Sequence, residues 1–121
     1  MSYAQLLLLA LWLGIEDVSG LWEVVWDLNA RHDAGRDGLN RAASLGVMFD
    51  LYERGWVTFY HCHEPYGDLE AVPSDNVYPL LLEEASWVEP APLALSIRFE
   101  TTDAGKTAYQ SMAQQQPDDG T

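Results

Sequence analysis

The residues with the most reactive side chains are adjacent at positions 61–64, where the sequence reads His-Cys-His-Glu. In a β-strand, His61 and His63 share one face while Cys62 lies on the other. Such a pair binds zinc when a third ligand joins it, and His32 or a carboxylate from the middle of the chain could supply one. No CxxC, HExxH or second cysteine accompanies the cluster. We interpret these residues as surface histidines at a strand end, and we predict neither a metal nor a cofactor.

Motifs for catalysis are also missing from the sequence. It contains no GxSxG, P-loop or GxGxxG pattern, and no spacing gives Cys62 a base and an orienting group. Carboxylates are abundant, but a general acid and base need a shaped, partly buried site, which a sequence does not show. We therefore predict that the protein is not an enzyme.

The net charge is the strongest compositional feature. Nineteen Asp and Glu residues and six Lys and Arg residues give a formal charge of −13. Such a field repels phosphates and anionic membranes, and it attracts a cationic protein partner. The alternative is that the acidity only keeps the protein soluble.

Most of this charge is concentrated in the middle of the chain. Residues 31–54 carry four arginines and four acids and are neutral. Residues 64–92, which we call the acidic segment, carry no Lys or Arg and seven acids: Glu64, Asp68, Glu70, Asp75, Glu83, Glu84 and Glu89. The segment is therefore the part of the chain that would meet a basic partner.

Length and composition indicate one compact domain. A chain of 121 residues, 48% of them hydrophobic, can bury a core. A single cysteine excludes an internal disulfide, which favours a cytoplasmic location. The apolar run Leu6–Leu13 is shorter than the roughly 20 residues of a membrane span, and no Lys or Arg precedes it, so we predict a buried first helix.

The most informative stretch is residues 40–60, which predicts a helix running directly into a strand. Apolar residues recur at helical spacing as far as Tyr52, and Arg54 is placed to complement the helix dipole. Gly55 occupies the position where a left-handed residue ends a helix. Aromatic and β-branched residues from Trp56 to His63 then favour a strand.

Before this stretch, the pattern predicts two helices and a connection. The first helix spans Tyr3–Gly14, and the second follows an N-cap at Ser19. The buried stripe of the second helix is predicted to contain Leu21, Trp22, Val25, Trp26 and Asn29. A charged connection covers residues 30–38, and the third helix begins near Leu39.

After this stretch, residues 64–73 are rich in turn-forming residues, and Ser74 or Asp75 can cap a helix reaching about Ser86. Pro79 moves the predicted start of that helix toward Val77, because proline is tolerated only in the first turn.

The C-terminal part predicts a strand and a helix. The strand covers residues 93–100, with Leu95, Ile97 and Phe99 on one face. The helix covers Ala104–Met112, follows a cap at Thr102 or Asp103, and packs Tyr109 inward. Residues 113–121 are predicted to be a disordered tail.

Two stretches resemble winged-helix domains of the MarR and PadR type. FDLYERGWVTFY (residues 49–60) is similar to the end of the third helix and the start of the wing, and RFETTDAGKTAYQ (residues 98–110) is similar to the strand and helix that follow. The resemblance implies an α+β fold: a three-helix core, a two-stranded wing and a C-terminal helix within residues 1–112. Residues 64–92 then form an acidic insertion between the wing strands.

The resemblance also implies DNA recognition by the third helix. Arg36, Asn40, Arg41 and Ser44 are the positions that would face DNA, where Arg bonds guanine edges and Asn bonds adenine. However, seven uncompensated carboxylates beside a duplex would be repelled by it. DNA-binding regulation is therefore the alternative function, and we give it second place.

The favoured function is a non-catalytic module that binds a protein with a basic surface, as an immunity or antitoxin-like inhibitor or an acidic mimic of nucleic acid does. The predicted contacts are the seven acids of the acidic segment and Trp87. Four of the five tryptophans are expected in the core, whereas Trp87 is flanked by carboxylates, as a binding hot spot for a basic partner would be. The alternative is that Trp87 fixes the segment to the domain. The sequence does not determine the oligomeric state.

Overall fold

A computed structural model describes residues 2–31, 37–64 and 67–115. In chain order the elements are α1 (Tyr3–Glu16), β1 (Ser19–Gly20), α2 (Leu21–Arg31), α3 (Asp37–Glu53), β2 (Val57–His63), β3 (Leu69–Ala71), α4 (Ser74–Leu82), a 3-10 helix (Glu84–Trp87), β4 (Leu95–Thr101) and α5 (Asp103–Gln115). The predicted α+β class is confirmed.

The strands form an antiparallel sheet with the order β1-β4-β2-β3. The central pair, β2 and β4, runs in register from Val57 opposite Thr101 to His63 opposite Leu95. The two-residue β1 pairs with β4, and the three-residue β3 pairs with the other edge of β2. The acidic segment therefore starts and ends at one end of the central strand pair.

One face of the sheet carries the core. Phe59 of β2 and Phe99 of β4 are opposite each other and buried, and they join one apolar cluster with Leu11, Leu21 and Leu51 of the first three helices. Burying a side chain of this size contributes about 1.5–3 kcal/mol, so this layer supplies much of the folding free energy.

The end of α3 has the geometry that the sequence predicts. Gly55 has a φ of 74°, its N–H donates to Tyr52 O at 3.0 Å, and the Trp56 N–H donates to Leu51 O at 3.0 Å. These two bonds form the Schellman arrangement that satisfies the last helical carbonyls. The predicted helix–glycine–strand junction is confirmed.

The start of α3 lies earlier than predicted. Its first residue is Asp37 rather than Leu39, and Arg31 still belongs to α2, so both ends of the predicted connection 30–38 are helical. Its central residues, 32–36, lie outside the described residues. The amide of Asn40 lies 2.7 Å from Asn29 Oδ1, which links α3 to α2.

The prediction that Ser19 caps α2 is wrong. Ser19 lies in β1 opposite Phe99, and its hydroxyl donates to Leu13 O at 2.8 Å. The short strand β1 thus joins the end of α1 to β4. A capping pattern, which involves only neighbouring residues, does not reveal this long-range pairing. The buried residues of α2 include Val24 and Leu28, whereas Trp26, predicted to be buried, is 50% exposed.

The structure corrects the predicted helix in the acidic segment. α4 begins at Ser74 rather than near Val77 and ends at Leu82, and the 3-10 helix Glu84–Trp87 follows it. Pro79 lies inside the helix, where it has no N–H to donate to a helical carbonyl. Because this part of the helix is exposed, water can satisfy the carbonyl that loses its hydrogen bond. β3 was not predicted, because its three residues lie in a stretch rich in turn-forming residues.

The C-terminal elements follow the prediction with small shifts. The Thr102 hydroxyl accepts from the Gly105 N–H at 3.1 Å, which confirms the predicted cap. Tyr109 stacks on Trp12 of α1 at a centroid distance of 5.8 Å and is half-buried. The helix continues to Gln115, beyond the predicted end at Met112, and residues 116–121 of the predicted tail lie outside the described residues.

The contact between α1 and β4 requires a glycine. A Cβ at Gly14 would lie 2.5 Å from Thr101 Oγ1 and 2.9 Å from the Thr101 amide nitrogen. The same hydroxyl donates to Leu11 O at 2.8 Å. A larger residue at position 14 must therefore push α1 away from the sheet or break this hydrogen bond.

We expect Gly14→Ala to lower the free energy of unfolding by about 1–3 kcal/mol, because overpacked sites strain the backbone. Urea denaturation measures this change. Gly46→Ala is the matched control, since a Cβ at Gly46 in α3 meets no atom within 4 Å. The control should gain about 0.5–1 kcal/mol from the higher helix propensity of alanine. Equal stability of Gly14→Ala and the wild type would contradict the proposed close contact.

Candidate functional site

The acidic segment is attached to the domain by buried apolar side chains. Val77 and Leu81 of α4 belong to the same buried cluster as Phe59. Tyr78 of α4 stacks on Phe49 of α3 with ring centroids 4.8 Å apart. The segment therefore contributes to the core, and its surface is held in a defined position.

Trp87 is part of this attachment. Its side chain is 5% exposed, and its indole N–H donates to Leu81 O at 2.7 Å. A partner cannot reach a side chain that is buried to this extent. The structure thus supports the interpretation that Trp87 fixes the segment to the domain, and it removes Trp87 from the exposed surface.

Glu64 is also engaged inside the protein. Its carboxylate lies 2.9 Å from the Arg98 guanidinium, and both side chains are nearly buried, with 13% and 12% exposure. The Ser96 hydroxyl donates to the same carboxylate oxygen at 2.7 Å, and Arg98 also donates to Val18 O at 2.8 Å. Glu64 therefore closes the base of the acidic segment and is not available to a partner.

A second polar contact lies on the same face of the sheet. The Tyr60 hydroxyl lies 3.4 Å from Glu100 of β4. Burial, together with the Glu100 carboxylate, raises the pKa of Tyr60 above its usual value of 10.0. The phenol therefore stays protonated and donates to Glu100 at neutral pH.

The remaining acids of the segment are exposed. Glu84 forms an ion pair with Arg41 of α3 at 2.9 Å while its side chain stays 79% exposed. Within the described part of the chain, no ion pair involves the other five: Asp68, Glu70, Asp75, Glu83 and Glu89. These five carboxylates form the unneutralised part of the predicted site.

Exposed apolar side chains accompany these carboxylates, and the sequence pattern does not predict their exposure. The exposed fractions are 66% for Leu82, 52% for Val88, 79% for Leu93 and 53% for Leu95. Leu95 was predicted to share a buried face with Ile97 and Phe99, but it lies at the open end of β4.

A cavity of about 490 Å³ lies between the acidic segment and the sheet. Its walls include Trp22 of α2, Ile97 of β4 and the exposed Val88, and two carboxylates, Glu83 and Glu89, line it as well. A volume of this size is typical of small-ligand sites. The acidic surface and the cavity share these two acids.

The histidine cluster contributes one residue to this cavity. His61 lines the cavity and is partly buried, whereas His63 is exposed, and Cys62 is buried with its thiol near Gly67. In the part of the chain that the structure describes, no group of three metal-ligating side chains occurs. His32, considered as a third ligand, lies outside the described residues.

Two of the four positions proposed to face DNA are buried. Asn40 is 8% exposed, and Ser44, at 1%, donates its hydroxyl to Asn40 O at 2.8 Å. Arg41 is paired with Glu84, and Arg36 lies outside the described residues. Asn40 and Ser44 therefore face the protein interior, and neither can reach a base edge in this arrangement.

Comparisons with protein-family models, curated proteins and solved structures give no match for this chain. Across residues 2–31, 37–64 and 67–115, no helix has both the length and the apolar character needed to cross a membrane.

We predict that Glu64→Gln lowers the free energy of unfolding by about 3–5 kcal/mol, because it removes the charged half of a nearly buried ion pair with Arg98. Glu84→Gln is the control, since it removes the same charge from an exposed pair and should cost less than about 1 kcal/mol. Urea denaturation of both variants provides the comparison. Equal losses would show that Glu64 does not have the structural role assigned to it.

Proposed function

We propose that the protein is a non-catalytic binding module that engages the basic surface of another protein through the acidic segment. The observation that carries this proposal is that five carboxylates without an ion pair, in the described part of the chain, are displayed on a segment anchored in the core. An immunity or antitoxin-like inhibitor and an acidic mimic of nucleic acid are two forms that such a module takes.

Electrostatics favours a cationic partner. Cations that could neutralise the segment come from outside it: Arg98 compensates Glu64, and Arg41 compensates Glu84. The other acids contribute to the formal net charge of −13 of the whole chain. A negative field of this size accelerates the encounter with a basic protein. Such steering accounts for the rate of association and for specificity more than for the stability of the complex.

The exposed apolar residues can provide that stability. Protein interfaces combine a desolvated apolar centre with a polar rim. Val88 and Leu95 line the cavity together with Glu83 and Glu89, so apolar and acidic groups meet in one place. This neighbourhood replaces Trp87 as the proposed centre of the binding surface.

Backbone strain lies in the same region. Leu93 has a φ of 67°, a left-handed conformation that an L-residue adopts at a cost of roughly 1–2 kcal/mol. Its N–H donates to Glu64 O at 2.7 Å, which holds this conformation, and its side chain is 79% exposed. A strained residue that displays an apolar side chain is consistent with a role in binding.

We also propose that the domain is winged-helix-like. The support is the order of its elements: three helices, then the β2–β4 pair, then α5, with the short β1 beside β4. In this proposal, β2 and β4 are the wing strands, and the acidic segment is inserted between them.

DNA binding by α3 is the second proposed function, and it rests on the same order of elements. The burial of Asn40 and Ser44 and the pairing of Arg41 with Glu84 disfavour it. If α3 binds DNA, the contacts must come from side chains other than Asn40 and Ser44. The affinity must also fall steeply as salt rises, because phosphate neutralisation releases counterions.

The first function predicts that neutralising the exposed acids prevents complex formation. We expect the triple variant Glu70→Gln/Glu83→Gln/Glu89→Gln to recover its protein partner from nuclease-treated host lysate about tenfold less efficiently than wild type. The control, Glu16→Gln/Glu53→Gln/Asp103→Asn, removes the same charge from exposed positions elsewhere and should recover the partner normally. Quantitative mass spectrometry measures the recovery, and equal loss in both variants would reject the assigned surface.

The second function is tested with fluorescence anisotropy of labelled duplex DNA at low salt. We expect no saturable binding by the wild type, since the acidic segment repels the duplex. Saturable binding that is lost in Arg41→Ala would reverse our order of preference. Glu84→Gln serves as the control, because it removes the Arg41–Glu84 ion pair while keeping Arg41, and it would strengthen any genuine contact of Arg41 with DNA.

A further inference from the structure

The strand β3 lies at one edge of the sheet, since the strand order is β1-β4-β2-β3. Among the elements that the structure describes, β2 alone pairs with it. The three residues of the strand, Leu69–Ala71, are all exposed. An edge strand presents a row of backbone N–H and C=O groups, and such a row is a template for a further strand. We call the side of β3 that faces away from β2 the open edge.

The register with β2 determines which backbone groups lie on the open edge. The Val72 N–H donates to Phe59 O at 3.0 Å, and the ladder continues in the same register to Leu69. In an antiparallel ladder, pairs that exchange hydrogen bonds alternate with pairs that do not. The backbone of Val72 and Glu70 therefore bonds to β2. The N–H and C=O groups of Leu69 and Ala71 point outward, which leaves four backbone groups for a partner.

Both ends of β3 are held in place. Before the strand, the Gly67 N–H donates to the thiol sulfur of the buried Cys62 at an N–S distance of 3.4 Å. After the strand, Val72 bonds to β2 and packs against the apolar core. A strand that is already ordered loses less conformational entropy when another strand pairs with it. The open edge is therefore preorganised for pairing.

The charge beside the open edge determines which strand can pair with it. Asp68 and Glu70 are exposed, and within the described residues no ion pair involves either of them. Natural sheets use charged side chains on edge strands to prevent unwanted pairing. A second copy of β3 would bring like charges together and would be repelled, whereas a strand with Lys or Arg opposite Glu70 would be attracted.

We propose that the open edge of β3 receives an extended basic segment of the partner protein as an additional antiparallel strand. The residues opposite Leu69 and Ala71 exchange backbone bonds with them, and the residue between these two lies opposite Glu70 and carries the positive charge. In this mode of recognition, main-chain bonds supply affinity and alternate side chains supply specificity. The inference rests on the proposed function, because it specifies how a basic partner contacts the acidic segment.

Amide hydrogen exchange resolved by NMR tests the direction of the backbone groups in the free protein. We expect slow exchange at Glu70 and fast exchange at Leu69 and Ala71, because only Glu70 donates to β2. Equally slow exchange at all three amides would show that the edge is closed, and it would overturn the proposal.

Three peptides separate backbone pairing from charge. The first is acetyl-KVKVKVK-amide, the second is its acidic counterpart acetyl-EVEVEVE-amide, and the third is the basic peptide with N-methylated valines. N-methylation keeps the charge but removes the N–H donors that would face the open edge. By NMR titration at low salt, we expect saturable binding of the basic peptide with a dissociation constant of about 1 mM or less, together with slower exchange at Leu69 and Ala71.

The other two peptides provide the controls. The N-methylated peptide should bind about tenfold more weakly or worse, because it cannot donate to the edge carbonyls. The acidic peptide should not bind, since the chain repels it. Absence of saturable binding by the basic peptide, or equal affinity of its N-methylated form, would overturn the proposal.

A proline substitution locates the pairing at β3. Ala71→Pro removes an outward N–H that the fold does not use, and proline is tolerated on edge strands. The matched control is Ala104→Pro in the first turn of α5, where the residue is exposed and proline is also tolerated. We expect Ala71→Pro to weaken binding of the basic peptide about tenfold or more and the control to stay within about twofold of wild type. Wild-type affinity in Ala71→Pro, with a normal circular dichroism spectrum, would overturn the proposal.

A charge substitution provides a second test that leaves the backbone intact. We expect Glu70→Gln to weaken binding of the basic peptide more than Glu16→Gln, which removes the same charge before β1, at the opposite edge of the sheet. Equal weakening by the two variants would show attraction to the general field of the protein and would overturn the proposal.

Recovery of the partner from nuclease-treated lysate distinguishes this inference from the proposed function. We expect Ala71→Pro to recover the partner about tenfold less efficiently than Ala104→Pro. Normal recovery by Ala71→Pro, together with loss in the triple variant of Glu70, Glu83 and Glu89, would overturn edge pairing and leave the proposed function standing. Absence of any nuclease-resistant partner would contradict the proposed function, whereas the peptide titration would still decide whether the edge pairs.

Discussion

The pairing of β2 with β4 is the constraint on which the rest of the structure depends, because it brings the two ends of the acidic segment together. The ladder ends at His63 opposite Leu95, and two further backbone bonds connect Glu64 to Leu93 and Ala94. The nearly buried Arg98 neutralises Glu64 at this point. A loop of this length would otherwise be costly to order. Closed at its base and packed through α4 and Trp87, the segment instead holds its surface groups in place.

This arrangement separates two kinds of acid. Glu64 contributes to the fold, because a charge inside the protein must be compensated there. Glu70, Glu83 and Glu89 are exposed, where charge costs little stability and determines which molecules approach. Anchoring the segment also lowers the entropy lost when a partner binds, so a preorganised acidic surface can bind more tightly than a flexible acidic tail. The Pro79-containing helix within the segment and the strained Leu93 directly after it fit this interpretation, since both restrict the backbone there.

The sequence predicted those features that depend on neighbouring residues. Gly55 ends α3 and Thr102 begins α5, because the geometry of a cap is set within a few positions. Features that depend on distant residues were not predictable. Ser19 has the composition of a cap but pairs with Phe99, eighty positions away. The tryptophans show the same limit: Trp12 and Trp26 were expected in the core and are exposed, whereas Trp87, placed among the proposed partner contacts, is buried and fixes the segment to the domain. Charge concentration was visible in the sequence, but the cavity was not, since its walls come from α2, β2, β4 and the acidic segment.

The most direct test of the central claim, that the acidic segment is the binding surface, is amide hydrogen exchange measured by mass spectrometry on the free protein and on its complex from nuclease-treated lysate. Binding should slow exchange in residues 67–95 and leave α3 and the α1–α5 contact unchanged. Such protection would localise the partner to the exposed acids of the acidic segment and the adjoining Leu93. Slower exchange confined to α3, with no change in residues 67–95, would contradict the claim.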